Sequence, residues 1–390
     1  MKLHAFAFLF IASACIAQQQ APDLKATPGS VATPDPHTVP ALSAELYAPR
    51  SISRQQIIQK KEILYRVMDS SAPAGPDVQA SPDPSPTPLP SIIPIVSPSP
   101  QGSPTYAKTP DLQIANVVIG KGGDRDLHAQ LAWPTRPAKL PMPGIIYIHG
   151  GGWKGGDYKL NLAETFTPKG YFTVSAEYRL SPEAKWPAQI EDCKLAIRWL
   201  RANAKKYNVD PNRIGVWGIS AGGHLVAFLG ATENQPKFEG RGGYPGVSSK
   251  VQAVVDFSGP TDFRDGTFTA GVDNIPEQDR LAIMKLAELL FGKPFAGNPE
   301  LYAQGSPITY VHKDMPPFLV VHGEKDPIVS YQQSKTFVDA MQKAGAPVEF
   351  ISVANGGHRL HSVVPGQPSA PNPGAIYKSM EEFFDKHLKQ

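Results

Sequence analysis

Gly218-Ile219-Ser220-Ala221-Gly222 sets a hydroxyl nucleophile among small neighbours, as a sharp turn from strand to helix requires. Such a turn lifts its serine clear of a sheet, and larger flanking side chains would collide with the strained backbone. The pentapeptide follows an apolar strand-like run over 213–217 and precedes a helical stretch over 223–230. A helix N-terminus at that point favours the negative charge that develops in acyl transfer. Taken alone, the pentapeptide also reads as a glycine-lined turn with a capping serine. Its place between strand and helix favours the nucleophile. Upstream, His149-Gly150-Gly151-Gly152-Trp153 ends the very apolar run 144–148. Backbone N–H groups on a glycine run can be aimed at an oxyanion with no side chain intervening. Gly151 and Gly152 are the candidate donors, joined by the amide of Ala221, and His149 reads as the residue that holds this loop by a side-chain hydrogen bond.

A serine hydroxyl is a poor nucleophile until a base takes its proton, and the base needs a carboxylate to fix its tautomer. The candidate acid is Asp326 in His322-Gly323-Glu324-Lys325-Asp326-Pro327, after the run 318–321. The candidate base is His358 in Asn355-Gly356-Gly357-His358, after the run 348–353. The chain order is therefore Ser220, Asp326, His358, each on a loop that follows a strand. Glu324 competes as acid and His361 as base, and His224, His312 and His322 also lie near the ends of elements. Asp192, in the first turns of a helix and ahead of the nucleophile, reads as scaffold. No His/Cys/Asp cluster has metal-ligand spacing, so neither a metal nor another cofactor is expected.

The elements that must carry these residues are legible from about residue 111 onward. Residues 112–119 and 127–133 read as a hairpin, and strand-like runs at 144–148, 172–176, 214–217, 253–257, 318–321 and 348–353 alternate with amphipathic stretches. The clearest stretch, 189–207, repeats Ile190, Cys193, Ala196, Ile197 and Leu200 on one face. That alternation predicts a mostly parallel sheet covered by helices on both faces, with its chemistry at the carboxyl ends of the strands. The segments 232–251 and 263–316 are expected to form a cap, with Phe268, Phe291, Phe295 and Tyr302 as pocket linings or as ordinary core aromatics.

Ahead of this domain, residues 21–110 hold 18 of the chain's 41 prolines. They predict an extended spacer, interrupted by a possible short helix over 53–68. Residues 1–17 place a positive charge before a short apolar run that ends in small residues, the pattern of a cleavable secretory leader. A second reading lipidates Cys15 after Ala12-Ser13-Ala14, which would tether the protein to a membrane. Either way the protein is expected to be secreted or periplasmic. The mature chain cannot form an internal disulfide, because Cys193 is its only other cysteine. With 38 Lys and Arg against 35 Asp and Glu, charge gives no footprint for nucleic acid or a membrane surface.

His149-Gly150-Gly151-Gly152-Trp153, Tyr178-Arg179-Leu180-Ser181-Pro182, the helix with Asp192 and Trp199, Gly218-Ile219-Ser220-Ala221-Gly222-Gly223-His224 and His322-Gly323-Glu324-Lys325-Asp326-Pro327 occur together over about residues 111–390. In this combination the chain resembles the bacterial feruloyl and acetyl xylan esterase branch of the α/β hydrolases, related to the hormone-sensitive lipase group. The resemblance implies an α/β-hydrolase fold and a serine esterase for acetyl or feruloyl groups on plant polysaccharide. It also implies triad roles for Ser220, Asp326 and His358. Glu324 departs from the family's usual Asp, the insert 365–373 is atypical and reads as a shaper of the pocket rim, and the first 110 residues have no counterpart. Two other functions stay in view: a peptidase of the prolyl-oligopeptidase type, and a non-catalytic polysaccharide-binding protein on a hydrolase scaffold.

Overall fold

The computed structural model describes residues 50–52, 112–136, 138–159, 165–269 and 277–390. The leader expected over 1–17 with Cys15, the helix expected over 53–68 and the proline-rich run lie outside the described residues. One piece of the expected spacer is described, and it is a strand. Arg50–Ile52 (β1) pairs antiparallel with the first strand of the domain, so the sheet begins inside the segment read as an extension.

Among the described residues the sheet has nine strands in the order β1-β2-β3-β5-β4-β6-β7-β8-β9. Leu112–Gly122 (β2) and Arg125–Pro134 (β3) form the expected hairpin. Met142–Ile148 (β4), Phe172–Ala176 (β5), Val209–Ile219 (β6), Ala253–Phe257 (β7), Phe318–Gly323 (β8) and Val348–Val353 (β9) are parallel. The chain winds from β4 outward to β5, then returns past β4 to lay β6 on its other side. That reversal opens a crevice at the carboxyl ends of β4 and β6. The glycine run leaves one of these strands and Ser220 the other.

The strands are apolar throughout because both faces are covered. Along β4, Ile146 and Ile148 enter the core beneath helices α1 (Ala188–Ala202) and α2 (Ala221–Ala231), while Ile145 and Tyr147 enter the opposite core beneath the C-terminal helix. The period of two is what a pleated strand imposes. Helix α1 stops at Ala202, short of the expected residue 207. Val209 must enter β6, and its amide bonds back to the carbonyl of Ala204, which ends the helical path.

Helices α3 (Glu277–Phe291) and α4 (Pro299–Gln304) belong to the expected cap, and α5 (Tyr331–Ala344) and α6 (Pro373–Leu388) flank β9 in sequence. Both late helices start on side-chain caps, Ser330 accepting from the amide of Gln332 and Asn372 from that of Ala375. Three of the four cap aromatics are core residues, and Phe295 is half-buried beside them. Phe268, Phe291 and Tyr302 are buried, Phe291 and Tyr302 lie 4.3 Å apart between ring centroids, and Phe295 packs edge-on against Tyr302. Segment 232–251 likewise turns inward: Phe238 packs on Trp186 and Phe228, and the amide of Lys121 in the hairpin bonds to Gly242 O.

Candidate active site

Ser220 sits at the turn between β6 and α2 with φ 59° and ψ −122°. A residue bearing a side chain adopts that conformation at a cost of order 1–3 kcal/mol, and only where its surroundings over-determine it. Here the Ser220 amide donates to Phe257 O at 2.8 Å, and Ser220 O accepts from the amide of His224 at 2.9 Å. The turn is pressed against the end of β4. A Cβ added to Gly222 would lie 2.1 Å from Ile148 O, so no side chain fits there. Ser220 remains partly exposed, at the carboxyl edge where the crevice opens.

The glycine run lies alongside. A Cβ on Gly150 would come 3.4 Å from the Ser220 Cβ. Gly151 and Gly152 have φ 113° and 59°, and a Cβ on Gly151 would strike Gly155 O at 2.3 Å. Among the described residues, no acceptor takes the amides of Gly151, Gly152 or Ala221. The sequence offers these three amides as candidate oxyanion donors. The loop is braced from below by the segment that follows β5. Tyr178 Oη donates to His149 O at 3.0 Å, the Ser181 amide donates to Trp153 O at 2.7 Å, and the His149 ring stacks on Tyr178. His149 Nδ1 lies 2.8 Å from Gly150 O, and burial lowers its pKa. Arg179 in the same segment grips Asp192 through its backbone N and its Nε and Nη2, all at 2.8–2.9 Å. Asp192 is thus a scaffold residue, anchoring the brace to α1.

Asp326 and His358 meet at the ends of β8 and β9. His358 Nδ1 donates to Asp326 Oδ2 at 2.7 Å, and His322 Nε2 reaches the same oxygen at 3.0 Å. Asp326 Oδ1 accepts from the amides of Ile328 and Val329 at 2.8 and 3.0 Å. Burial alone would raise the pKa of Asp326. The neighbouring charge of His358 and the hydrogen bonds from both imidazoles outweigh it and hold the carboxyl far below its usual range. The two loops are tied together by the Lys325 amide donating to Gly356 O at 2.8 Å. The atypical insert braces this loop: Ala354 and Ala370 exchange both backbone hydrogen bonds, and Asn355 Nδ2 donates to Pro368 O. Among the described residues no hydrogen bond joins Ser220 Oγ to His358; catalytic hydrogen bonds are often long or poorly aligned before substrate binds.

The competitors other than His312 have other partners. Glu324 is exposed and accepts from Ser352 Oγ at 2.6 Å. His361 is exposed, and its carbonyl accepts from the amide of Gly357. The buried His224 ring accepts at Nδ1 from the indole of Trp153, and burial lowers its pKa to about 4. His312 Nε2 is buried and has no hydrogen-bond partner among the described residues. His322, weighed only as a rival base, instead donates from Nε2 to Asp326, and its Nδ1 lies 2.7 Å from Ser334 Oγ. The spacing of His322 and Asp326, four residues apart across a strand end, was the one local sign of that role. Among the described residues no group of three or more His, Cys, Asp or Glu could hold a metal ion.

The BD-FAE family model matches residues 131–341. Esterase LipC of Mycobacterium tuberculosis (strain ATCC 25618 / H37Rv) is 32% identical over 256 residues, covering 64% of this chain and 60% of that protein. The chain therefore spans about 60% of the length of this curated relative. Among solved structures, a truncated carbohydrate esterase from gut microbiota superposes with a TM-score of 0.59 at 30% identity, covering 71% of this chain and 97% of that one. The esterase Est2 of the Planctomycetes species Thermogutta terrifontis gives a TM-score of 0.55 at 25% identity over 70% of this chain and 91% of that one.

Proposed function

The chain belongs to the BD-FAE family of α/β hydrolases, and we propose that it is a serine carboxylic ester hydrolase with Ser220, Asp326 and His358 as its triad. The observation that carries this reading is the Asp326–His358 hydrogen bond of 2.7 Å, its carboxylate buried, at the same edge of the sheet as a serine held at positive φ. With Nδ1 committed to Asp326, His358 presents Nε2 as the base. Ser220 Oγ attacks the ester carbonyl as its proton passes to Nε2, and the amides of Gly151, Gly152 and Ala221 donate to the oxyanion. The tetrahedral intermediate collapses, the C–O bond to the alcohol breaks, and the alcohol leaves with the proton from His358. Water, deprotonated by the same imidazole, then attacks the acyl-enzyme. The free acid departs and Ser220 recovers its proton.

For the acyl group we propose acetyl or feruloyl esters on plant polysaccharide. The motif set and the carbohydrate esterase among the structural relatives support this. The leader over 1–17 supports action outside the cytoplasm, with a tether only if Cys15 carries lipid. Ser220→Ala is expected to abolish hydrolysis of nitrophenyl acetate and leave the thermal melt nearly unchanged; retained activity would refute the nucleophile. Acetate and ferulate release from arabinoxylan, measured side by side, tests the acyl group. Fractionation of wild type beside Cys15→Ser tests the tether, and identical soluble release from both would exclude it.

A further inference from the structure

The residue that closes the glycine run is held in an unusual way. Trp153 has φ 57°, so that three consecutive residues, Gly151, Gly152 and Trp153, all carry positive φ. For a large side chain this conformation persists only under constraint from outside the loop. The Trp153 indole is fully buried, edge-on to His224, Phe263 and Phe268. Its one polar atom, Nε1, donates to His224 Nδ1 at 3.1 Å. His224 Nε2 lies 2.8 Å from Gly305 O, and because a carbonyl can only accept, Nε2 carries the proton. His224 itself stands in the first turn of α2, its amide bonded to Ser220 O. One imidazole thus joins the turn that carries the nucleophile, the loop that carries the oxyanion donors, and the link that follows α4 in the cap.

We infer that His224 is a positioning residue for the oxyanion site: by accepting the Trp153 indole proton while donating to Gly305, it sets the Gly151 and Gly152 amides against Ser220. This rests on the function proposed above. The tautomer is what makes the arrangement work. An imidazole that donates at Nε2 and accepts at Nδ1 satisfies both neighbours at once, and a phenyl ring of similar size satisfies neither. Small misplacements of oxyanion donors are costly to rate, since losing one such donor typically lowers turnover by about 10²–10³-fold. A displaced loop should cost somewhat less, about 10–100-fold, and should leave ground-state binding nearly untouched.

The test compares wild type, Trp153→Phe, His224→Phe, His224→Asn and the Trp153→Phe/His224→Phe double variant in the full chain, well below their melting temperatures. The readouts are kcat and KM on nitrophenyl acetate, and the inhibition constant of a trifluoromethyl ketone, whose adduct with Ser220 places an oxyanion in the hole. Trp153→Phe and His224→Phe should each lower kcat about 10–100-fold with KM within about threefold, and the ketone should weaken by the same factor. His224→Asn, whose side-chain carbonyl can replace the Nδ1 acceptor, should recover most of the loss. The double variant should be no worse than the poorer single one. If melting temperatures fall while kcat and ketone affinity stay at wild-type values, His224 merely packs the core and the inference is overturned. It is equally overturned if Trp153→Phe is harmless, and that variant decides the matter should His224→Phe not fold. A wild-type chain that neither hydrolyses the ester nor takes up a fluorophosphonate at Ser220 overturns the proposed function, and the inference with it.

Discussion

Asp326→Asn changes one atom of the carboxyl group and should disable the site without emptying any space. Its consequence follows from counting donors. The native carboxylate faces four of them: His358 Nδ1 and His322 Nε2 at Oδ2, and the amides of Ile328 and Val329 at Oδ1. An asparagine has one acceptor oxygen and one donor nitrogen. Whichever way the amide is turned, its NH₂ confronts donors, either the two imidazoles or the two backbone amides. Backbone amides cannot surrender their hydrogens, so the oxygen is expected to face them and the nitrogen the histidines. His358 then adopts the other tautomer, with its proton on Nε2, and cannot accept from Ser220. The corresponding change in a known triad lowers turnover about 10⁴-fold, which is about 5 kcal/mol of transition-state stabilisation. Stability should fall as well, by about 1–3 kcal/mol for a buried donor left facing the amide. The assay is kcat/KM for nitrophenyl acetate, with urea unfolding of the same samples. Glu324→Gln is the control, because Glu324 points outward to Ser352 and should retain activity within a few-fold. An Asp326→Asn protein within tenfold of wild type, or an inactive Glu324→Gln protein, would refute the assignment of the acid.

Other consequences concern packing and pH. Gly222→Ala sets a methyl group 2.1 Å from Ile148 O and 2.8 Å from His149 O. Because both are backbone atoms, the turn must shift, and a loss of about 3 kcal/mol in unfolding free energy together with most of the activity is expected. Burial pushes Asp256, beside the nucleophile turn on β7, up to about 7, against the opposing charge of His322 and the amide of Gly259. Its folded pKa exceeds the unfolded value near 3.9, so its contribution is fully present below that pH and is lost as pH rises towards about 7. Asp256→Asn should flatten that slope in unfolding measured from pH 4 to 7, and an unchanged slope would contradict the assignment. His224 acts in the opposite sense. Its folded pKa of about 4 lies below the unfolded value of about 6.5, so stability falls as pH drops through that window. The loss should approach about 3 kcal/mol near pH 4 and be absent from His224→Asn, as urea midpoints at pH 4 and 7 would reveal.

The strands and the order of the motifs were legible because each is written locally. Alternating or unbroken apolar runs mark strands that pleat into cores on both faces, and Gly151 and Gly222 are required where backbone meets backbone too closely for a Cβ. The sequence by itself therefore pointed to a mostly parallel sheet with Ser220, Asp326 and His358 on loops after three of its strands, and a glycine run after a fourth. Local pattern is silent about which side chains meet across crossovers, and those meetings were decided by tertiary packing alone. Asp326 turns inward to two imidazoles while Glu324, two residues away, turns outward to Ser352. Tyr178 and Ser181 brace the glycine loop from the end of a neighbouring strand. The aromatic residues of the cap, equally readable as lining or core, close on one another and on Trp186 and Phe263. Residues 50–52 show the limit most plainly: three residues in a proline-rich stretch have no strand pattern of their own, and they become a strand only because the exposed edge of β2 offers its unpaired backbone groups.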